Sequence, residues 1–330
     1  MPNLYPLTFQ PLFKERVWGG RSLERLYAKP LPPGKPIGES WEISDRPGDA
    51  SVIANGPLAG RDIRWLMQNH RRDLLGNAKT QGDAFPLLIK LLDAQEKLSL
   101  QVHPPVHRAV EFGGEPKTEM WFIADAAPGA ELYVGLRRGV TRSSFERKLA
   151  DGTVADCFHR IAVKAGDAMF LPSGRVHAIG AGLVIFEIQQ NSDTTFRVFD
   201  WNRTGLDGKP RELHVPQSLE CIDFADFEPS LVSAKVHDLS NASISELVKD
   251  PLFVVESWLM RSADVVHWRN QRMQTIGVVS GSVTITSDAP VAPVTLGAGQ
   301  FCLIPAELRL AKLVARPGSR FLRITSGLAN

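Results

Sequence analysis

The sequence predicts a mainly β protein: two jelly-roll barrels in tandem, with a few helical decorations. Three observations lead there. Apolar runs of strand length end at Gly or Pro, as where Ala168–Leu171 stops at Pro172–Ser173–Gly174, and the same punctuation recurs at Thr275–Gly281 and Val294–Gly299. A weak internal repeat is also present, because Gly166, Pro172 and His177 have the spacing of Gly299, Pro305 and Leu310. The strand and the Pro turn recur, but the histidine does not, as expected if only the first of two related barrels keeps a metal site. Helical patterns, finally, are scarce.

Taken in chain order, Asp62–Leu75 places Ile63, Leu66, Met67, Leu74 and Leu75 at helical spacing and stops before Gly76. Phe85–Ile89 and Leu98–Leu100 read as strands, and Lys117–Phe122 leads into another. Thr141–Glu146 offers N-cap candidates ahead of Phe145 and Leu149. A further strand covers Leu183–Ile188. Between Glu228 and Leu247 the pattern is diluted by Pro229, Ser230, Ser240, Asn241 and Ser243. The boundary is placed there, giving a first domain of residues 1–235 with helical insertions and a second β domain of residues 236–330.

The chain has 330 residues, 43% hydrophobic and 22% charged, which suits one large or two medium domains with a buried core. Its 38 basic and 36 acidic residues leave a net charge of +2 without a basic run. Neither nucleic acid nor a membrane surface is the expected partner, whereas a small anion needs only two or three placed cations. Met1–Gln10 lacks the basic stretch and apolar core of a secretory signal. Cys157, Cys221 and Cys302 are odd in number and widely spread, so the expected setting is a reducing cytoplasm. The oligomeric state stays open at this stage.

Four residues make the chemical case. Gln101 and His103 are two apart on a predicted strand, so both project to one face, about 7 Å apart. Glu119 precedes another strand, and His177 follows the Pro172–Gly174 turn, which aims it back toward the barrel mouth. Two imidazoles, a carboxylate and an amide oxygen form a borderline donor set, suited to Zn2+ and tolerant of Mn, Co or Fe. Gly166, Pro172, Gly174 and His177 match the second sequence motif of cupin barrels, so the predicted barrels are cupin-like. The first cupin motif is stretched. Gln101 stands where the first His is usual, and Glu119 comes after fifteen residues beyond His103.

Nearly the whole chain resembles the type I phosphomannose isomerases in their shorter bacterial form. The similarity rests on Trp18–Gly19–Gly20, Gly38–Ser44, Leu98–Pro104, Lys117–Trp121, Leu171–Gly180 and Glu187–Arg197. It implies a metal-dependent aldose–ketose isomerase with one Zn2+ per chain, held by Gln101, His103, Glu119 and His177. The implied substrate is a small sugar phosphate, converted between mannose 6-phosphate and fructose 6-phosphate through a cis-enediol. The resemblance also implies an active-site arginine at Arg197 and a lysine beside the ligand carboxylate at Lys117. Glu187, ten residues before Arg197, is the expected acid–base group, with a structural salt bridge as the alternative. Lys90 and Ser99 are candidate phosphate contacts, Asp193 a substrate-side or turn residue, and Trp18 and Trp41 candidate walls. The longer relatives carry an extra helical domain for which this chain has no room.

Two rival functions stand beside this one. A cupin dioxygenase would usually present three imidazoles and a carboxylate, and Gln101 argues against it. A noncatalytic sugar-binding protein of two cupin barrels would be expected to lose its ligands, whereas the first barrel keeps all four.

Overall fold

Period-two alternation gives the central strands of the first half two different faces. In Leu87–Ala94, the side chains of Leu87, Ile89 and Leu91 enter one core, while Leu92 and Ala94 enter another and Lys90 lines a cavity. Leu183–Gln190 behaves alike: Val184, Phe186 and Ile188 face one way, and Leu183, Ile185 and Glu187 the other. Both strands are buried almost throughout, which explains why they read as continuous apolar runs and not as alternating ones.

The computed structural model describes residues 3–327 except Lys79, Gln81, Asp264, Asn270 and Arg309. A six-stranded sheet orders Leu12–Gly20, Ile37–Ile43, Leu87–Ala94, Leu183–Gln190, Glu119–Ala126 and Ala168–Leu171. A five-stranded sheet faces it, in the order Phe196–Phe199, Leu100–Val102, His177–Ile179, Glu131–Leu136 and Phe158–Ala162. Trp121, Ile123 and Ile185 of the first meet Leu132, Val134 and Ile179 of the second between them.

The second half repeats this plan. Its six-stranded sheet runs Lys235–Asp238, Ala242–Lys249, Phe253–Met260, Arg320–Ser326, Gln274–Ser280 and Phe301–Ile304. Its four-stranded sheet runs Val265–Arg269, Leu310–Ala315, Ser282–Ser287 and Val294–Gly297. In both halves the strand before the Pro turn is a sheet edge, and the strand after it lies inside the opposing sheet. The faint sequence repeat is therefore a repeat of topology. Leu310, the counterpart of His177, pairs through its backbone with Arg269, and its side chain lies outside the described residues.

The two six-stranded sheets pack back to back, so that Leu91, Phe122 and Phe186 share a core with Phe253, Phe301 and Leu322. The described helices all lie in the first half. The segment predicted as one helix over Asp62–Leu75 forms two, Ile63–Asn69 and Arg71–Leu75, because the backbone of His70 (φ −136°, ψ 24°) leaves the helical region. That turn delivers Leu74 and Leu75 to the core already entered by Leu66 and Met67. Asp62 caps the first helix, accepting the Trp65 amide at 2.7 Å. Thr141 and Ser144 form a reciprocal cap at the start of Arg142–Ala150, which buries Phe145 against the outer face of the five-stranded sheet. Among the described residues no helix is long and apolar enough to cross a membrane.

Candidate metal centre and its cavity

Sheet register brings the predicted ligands together. On the five-stranded sheet, Gln101 lies opposite His177 on one side and opposite Arg197 on the other. Glu119 opens its strand on the facing sheet, opposite Gln189. The turn before His177 depends on Gly174, which adopts φ +91°. Its amide donates to the carbonyl oxygen of His103 at 2.9 Å, which ties the two histidine-bearing segments together.

The side chains then form a compact cage. His103 Nε2 lies 3.4 Å from Glu119 Oε2, and His177 Nε2 lies 3.3 Å from Glu119 Oε1. Gln101 Nε2 is 3.3 Å from His177 Nε2. Each imidazole contacts a backbone carbonyl through its other nitrogen. His103 Nδ1 is 2.9 Å from the Thr194 oxygen and His177 Nδ1 is 2.9 Å from the Arg175 oxygen. With the proton on Nδ1 donated to those carbonyls, both Nε2 lone pairs point into the cage, the arrangement of metal-bound histidines. Among the described residues His103, Glu119 and His177 form the one group of three such ligands whose donor atoms lie within 4.8 Å of one another.

The electrostatics fit a cation. Burial, and after it the nearby Lys117 ammonium, pushes His103 down to about 4, and burial also lowers His177, so both rings are neutral ligands near pH 7. Burial alone would raise the Glu119 carboxyl, yet Lys117 and the two histidines hold it well below the usual range. Both Glu119 oxygens are buried without a hydrogen-bond partner of good geometry, although Lys117 Nζ is 2.8 Å from one of them. A fully buried carboxylate with unsatisfied oxygens beside two oriented imidazoles is a donor set that fits a divalent ion.

A cavity of about 540 Å3 adjoins the cage, and Gln101 and Lys117 are common to both. The other predicted site residues, Ser99, Lys90, Glu187, Asp193 and Arg197, all line the same cavity. Glu187 accepts the Trp121 indole N–H at 2.9 Å and lies 3.3 Å from Lys90 Nζ. Lys90 is also 3.9 Å from Glu39, and these two carboxylates raise its pKa despite burial. Trp18 is a wall of the cavity, while Trp41 is buried behind it and donates to Glu39 at 2.6 Å.

Sequence reasoning missed Glu39, Arg16 and Arg211 as site residues, and all three line the cavity. Arg16 Nε bonds Glu39 Oε1 at 2.8 Å. Against the pull of burial, Lys90 and Arg16 lower the Glu39 carboxyl to about 2. The available signal was a charge inside an otherwise buried strand, as Glu39 is within Ile37–Ile43.

Known proteins share this arrangement of chain. Residues 7–117 match the sequence profile of the phosphomannose isomerase type I catalytic domain. A mannose-6-phosphate isomerase of Streptococcus mutans is 36% identical over 296 residues, spanning 89% of this chain and 85% of that protein. The mannose-6-phosphate isomerase ManA of Bacillus subtilis is 34% identical over 313 residues, 93% of this chain and 95% of its own. A crystal structure of the mannose 6-phosphate isomerase from Bacillus subtilis superposes with a TM-score of 0.88 at 29% identity, covering 97% of this chain and 99% of that one.

Proposed function

The chain belongs to the type I mannose-6-phosphate isomerase family, and we propose that it interconverts mannose 6-phosphate and fructose 6-phosphate through a cis-enediol. One observation supports this reading beyond family membership. A single cavity is lined by Gln101 and Lys117 beside the cage and by the buried carboxylate of Glu187. An electrophile, a base and cations are the three tools that an aldose–ketose isomerisation needs.

We assign one Zn2+ per chain to Gln101, His103, Glu119 and His177, where it would supply a Lewis acid to the substrate's C1 and C2 oxygens. Glu187 removes the proton from C2 of mannose 6-phosphate and returns it to C1, and it runs in the other sense for the reverse reaction. The Trp121 N–H fixes one oxygen of Glu187, and Lys90 holds the other. Lys117 and Arg197 place positive charge beside the oxygens that become negative in the transition state. Ser99 and Asp193 serve the substrate from the cavity wall. Three buried, unpaired thiols, Cys157, Cys221 and Cys302, support a reducing cytoplasmic setting.

The test is a coupled assay of mannose 6-phosphate conversion on metal-loaded and chelator-treated protein, with elemental analysis of both. Loaded protein should hold about one zinc per chain and turn over substrate, and activity should leave with the metal and return with it. His177→Ala should lose metal and activity together. Zinc-loaded wild-type protein that converts no mannose 6-phosphate would refute the assignment.

A further inference from the structure

The fifteen residues between His103 and Glu119 leave the cage and return to it without joining a strand. Their end is fastened instead to the loop that follows the strand Leu183–Gln190. The Glu115 amide donates to Thr194 Oγ1 at 3.0 Å, and Ser192 Oγ donates to the Glu115 carbonyl oxygen at 3.3 Å. A Cβ on Gly114 would stand 2.8 Å from Thr194 Cγ2, so the two segments are in close contact. Thr194 is also the residue whose carbonyl oxygen lies 2.9 Å from His103 Nδ1. The two segments form a partition between two cavities. Lys117 and Asp193 line the catalytic one, whereas Glu115 and Asn191 line another of about 310 Å3.

Arg46 reaches both segments from that outer cavity. It ends the two-residue strand Asp45–Arg46, which pairs with Asp49–Ala50 and stands apart from the large sheets. Its Nη1 donates to the Asn191 carbonyl oxygen at 2.8 Å and lies 2.7 Å from Glu115 Oε2. The Arg46 side chain is 18% exposed, so this ion pair is better shielded than one on the open surface. The base of the clamp is fixed in turn. Arg64 Nε bonds Asp45 Oδ1 at 2.6 Å, and the Phe85 amide bonds Asp45 Oδ2 at 2.7 Å. A single guanidinium nitrogen therefore joins the returning segment to the one that orients a candidate metal ligand. The carbonyl contact at Nδ1 sets the tautomer and ring plane of His103, and so the direction of its Nε2 lone pair.

We propose that Arg46 is a positioning residue for the metal centre: by clamping Glu115 to Asn191 it holds the Thr194 carbonyl oxygen against His103 and keeps Lys117 beside Glu119. This rests on the assignment of a divalent ion to the cage. Full-length wild type, Arg46→Met, Arg46→Lys and Glu115→Gln would be compared by chelator competition for zinc, by the visible spectrum of cobalt-loaded protein, and by kcat and KM. Arg46→Met should raise the zinc dissociation constant about tenfold, alter the cobalt spectrum and lower kcat about tenfold, with KM within about twofold. Arg46→Lys, which keeps the charge, should recover most of each loss. Glu115→Gln removes the same ion pair from its more exposed side, and should shift zinc affinity in the same direction even if Arg46→Met fails to fold. Zinc affinity and cobalt spectrum equal to wild type in the folded variants, with only Tm lowered, would overturn the proposal. If wild type converts no mannose 6-phosphate while the variants still lose zinc affinity, the clamp stands and only the isomerase reading fails. Wild type that retains no zinc would overturn the clamp and the metal assignment together.

Discussion

Glu187 has Trp121 Nε1 at 2.9 Å from one oxygen and Lys90 Nζ at 3.3 Å from the other, within a buried strand whose same face carries Ile185 on one side of it and Gln189 on the other. The ion pair and the proton-transfer role make opposite demands on a mutation. Glu187→Gln keeps the shape and an acceptor for Trp121, and Lys90 keeps Glu39 as a partner. If Glu187 carries the proton, turnover should fall roughly a hundredfold or more with metal retained. Isomerisation by wild type in deuterated water should also place solvent deuterium on the receiving carbon. A merely structural pair predicts the reverse, a lowered Tm with turnover within a few fold, and product carrying no solvent deuterium would point to hydride transfer instead. Glu187 could be read from the sequence because it lies ten residues before Arg197, on a predicted strand where the resembled family carries an acid–base carboxylate. Glu39 carried a local signal, a charge within a buried strand, but its place in the site and that of Arg16 depend on Lys90 and on each other across neighbouring strands.

At the scale of elements, the first two strands of the six-stranded sheet pass unusually close beside the cavity. A Cβ on Gly19 would stand 2.3 Å from the Gly38 nitrogen, and one on Gly38 would stand 2.6 Å from both Arg16 Cβ and the Trp18 ring. The register between these strands shifts in the same stretch. Gly38→Ala should therefore push Arg16 and Trp18 outward, loosening the 2.8 Å Arg16–Glu39 pair, at a cost of about 1–3 kcal/mol. Denaturant unfolding of the variant measures that cost, and a change below a few tenths of a kcal/mol would mean that the strands part freely. The motifs Trp18–Gly20 and Gly38–Ser44 were visible in the sequence, but their steric purpose required the crossing itself. The Gly and Pro punctuation made the strands legible, and the repeated Pro turn signalled the doubled topology. The break at His70 was hidden for a simple reason: Leu66, Met67, Leu74 and Leu75 keep helical spacing across it and all enter one core.

For the whole molecule, the shared core between the two six-stranded sheets governs how the protein unfolds. Dividing the chain between residues 235 and 236 would cut the strand Lys235–Asp238 after its first residue, and it would strip Leu91, Phe122 and Phe186 of their cover by Phe253, Phe301 and Leu322. Backbone bonds cross the same seam. Leu7 and Leu303 exchange two hydrogen bonds of 2.8 Å, and the Ala306 and Glu307 amides reach Leu74 and Asp73 at 3.0 and 2.8 Å. Each half buries its own interior, but the surface joining them is a third core and not a polar linker contact. The expected behaviour is a single cooperative thermal transition, with calorimetric and van't Hoff enthalpies in agreement. Zinc binds only in the first half under the proposed assignment, so adding it should raise the midpoint of that one transition and carry the second half with it. Residues 1–235 expressed alone should expose the back of their sheet and aggregate or bind a hydrophobic dye. Two separate transitions, of which zinc moves one and leaves the other in place, would mean that the halves fold independently and that the shared core contributes little.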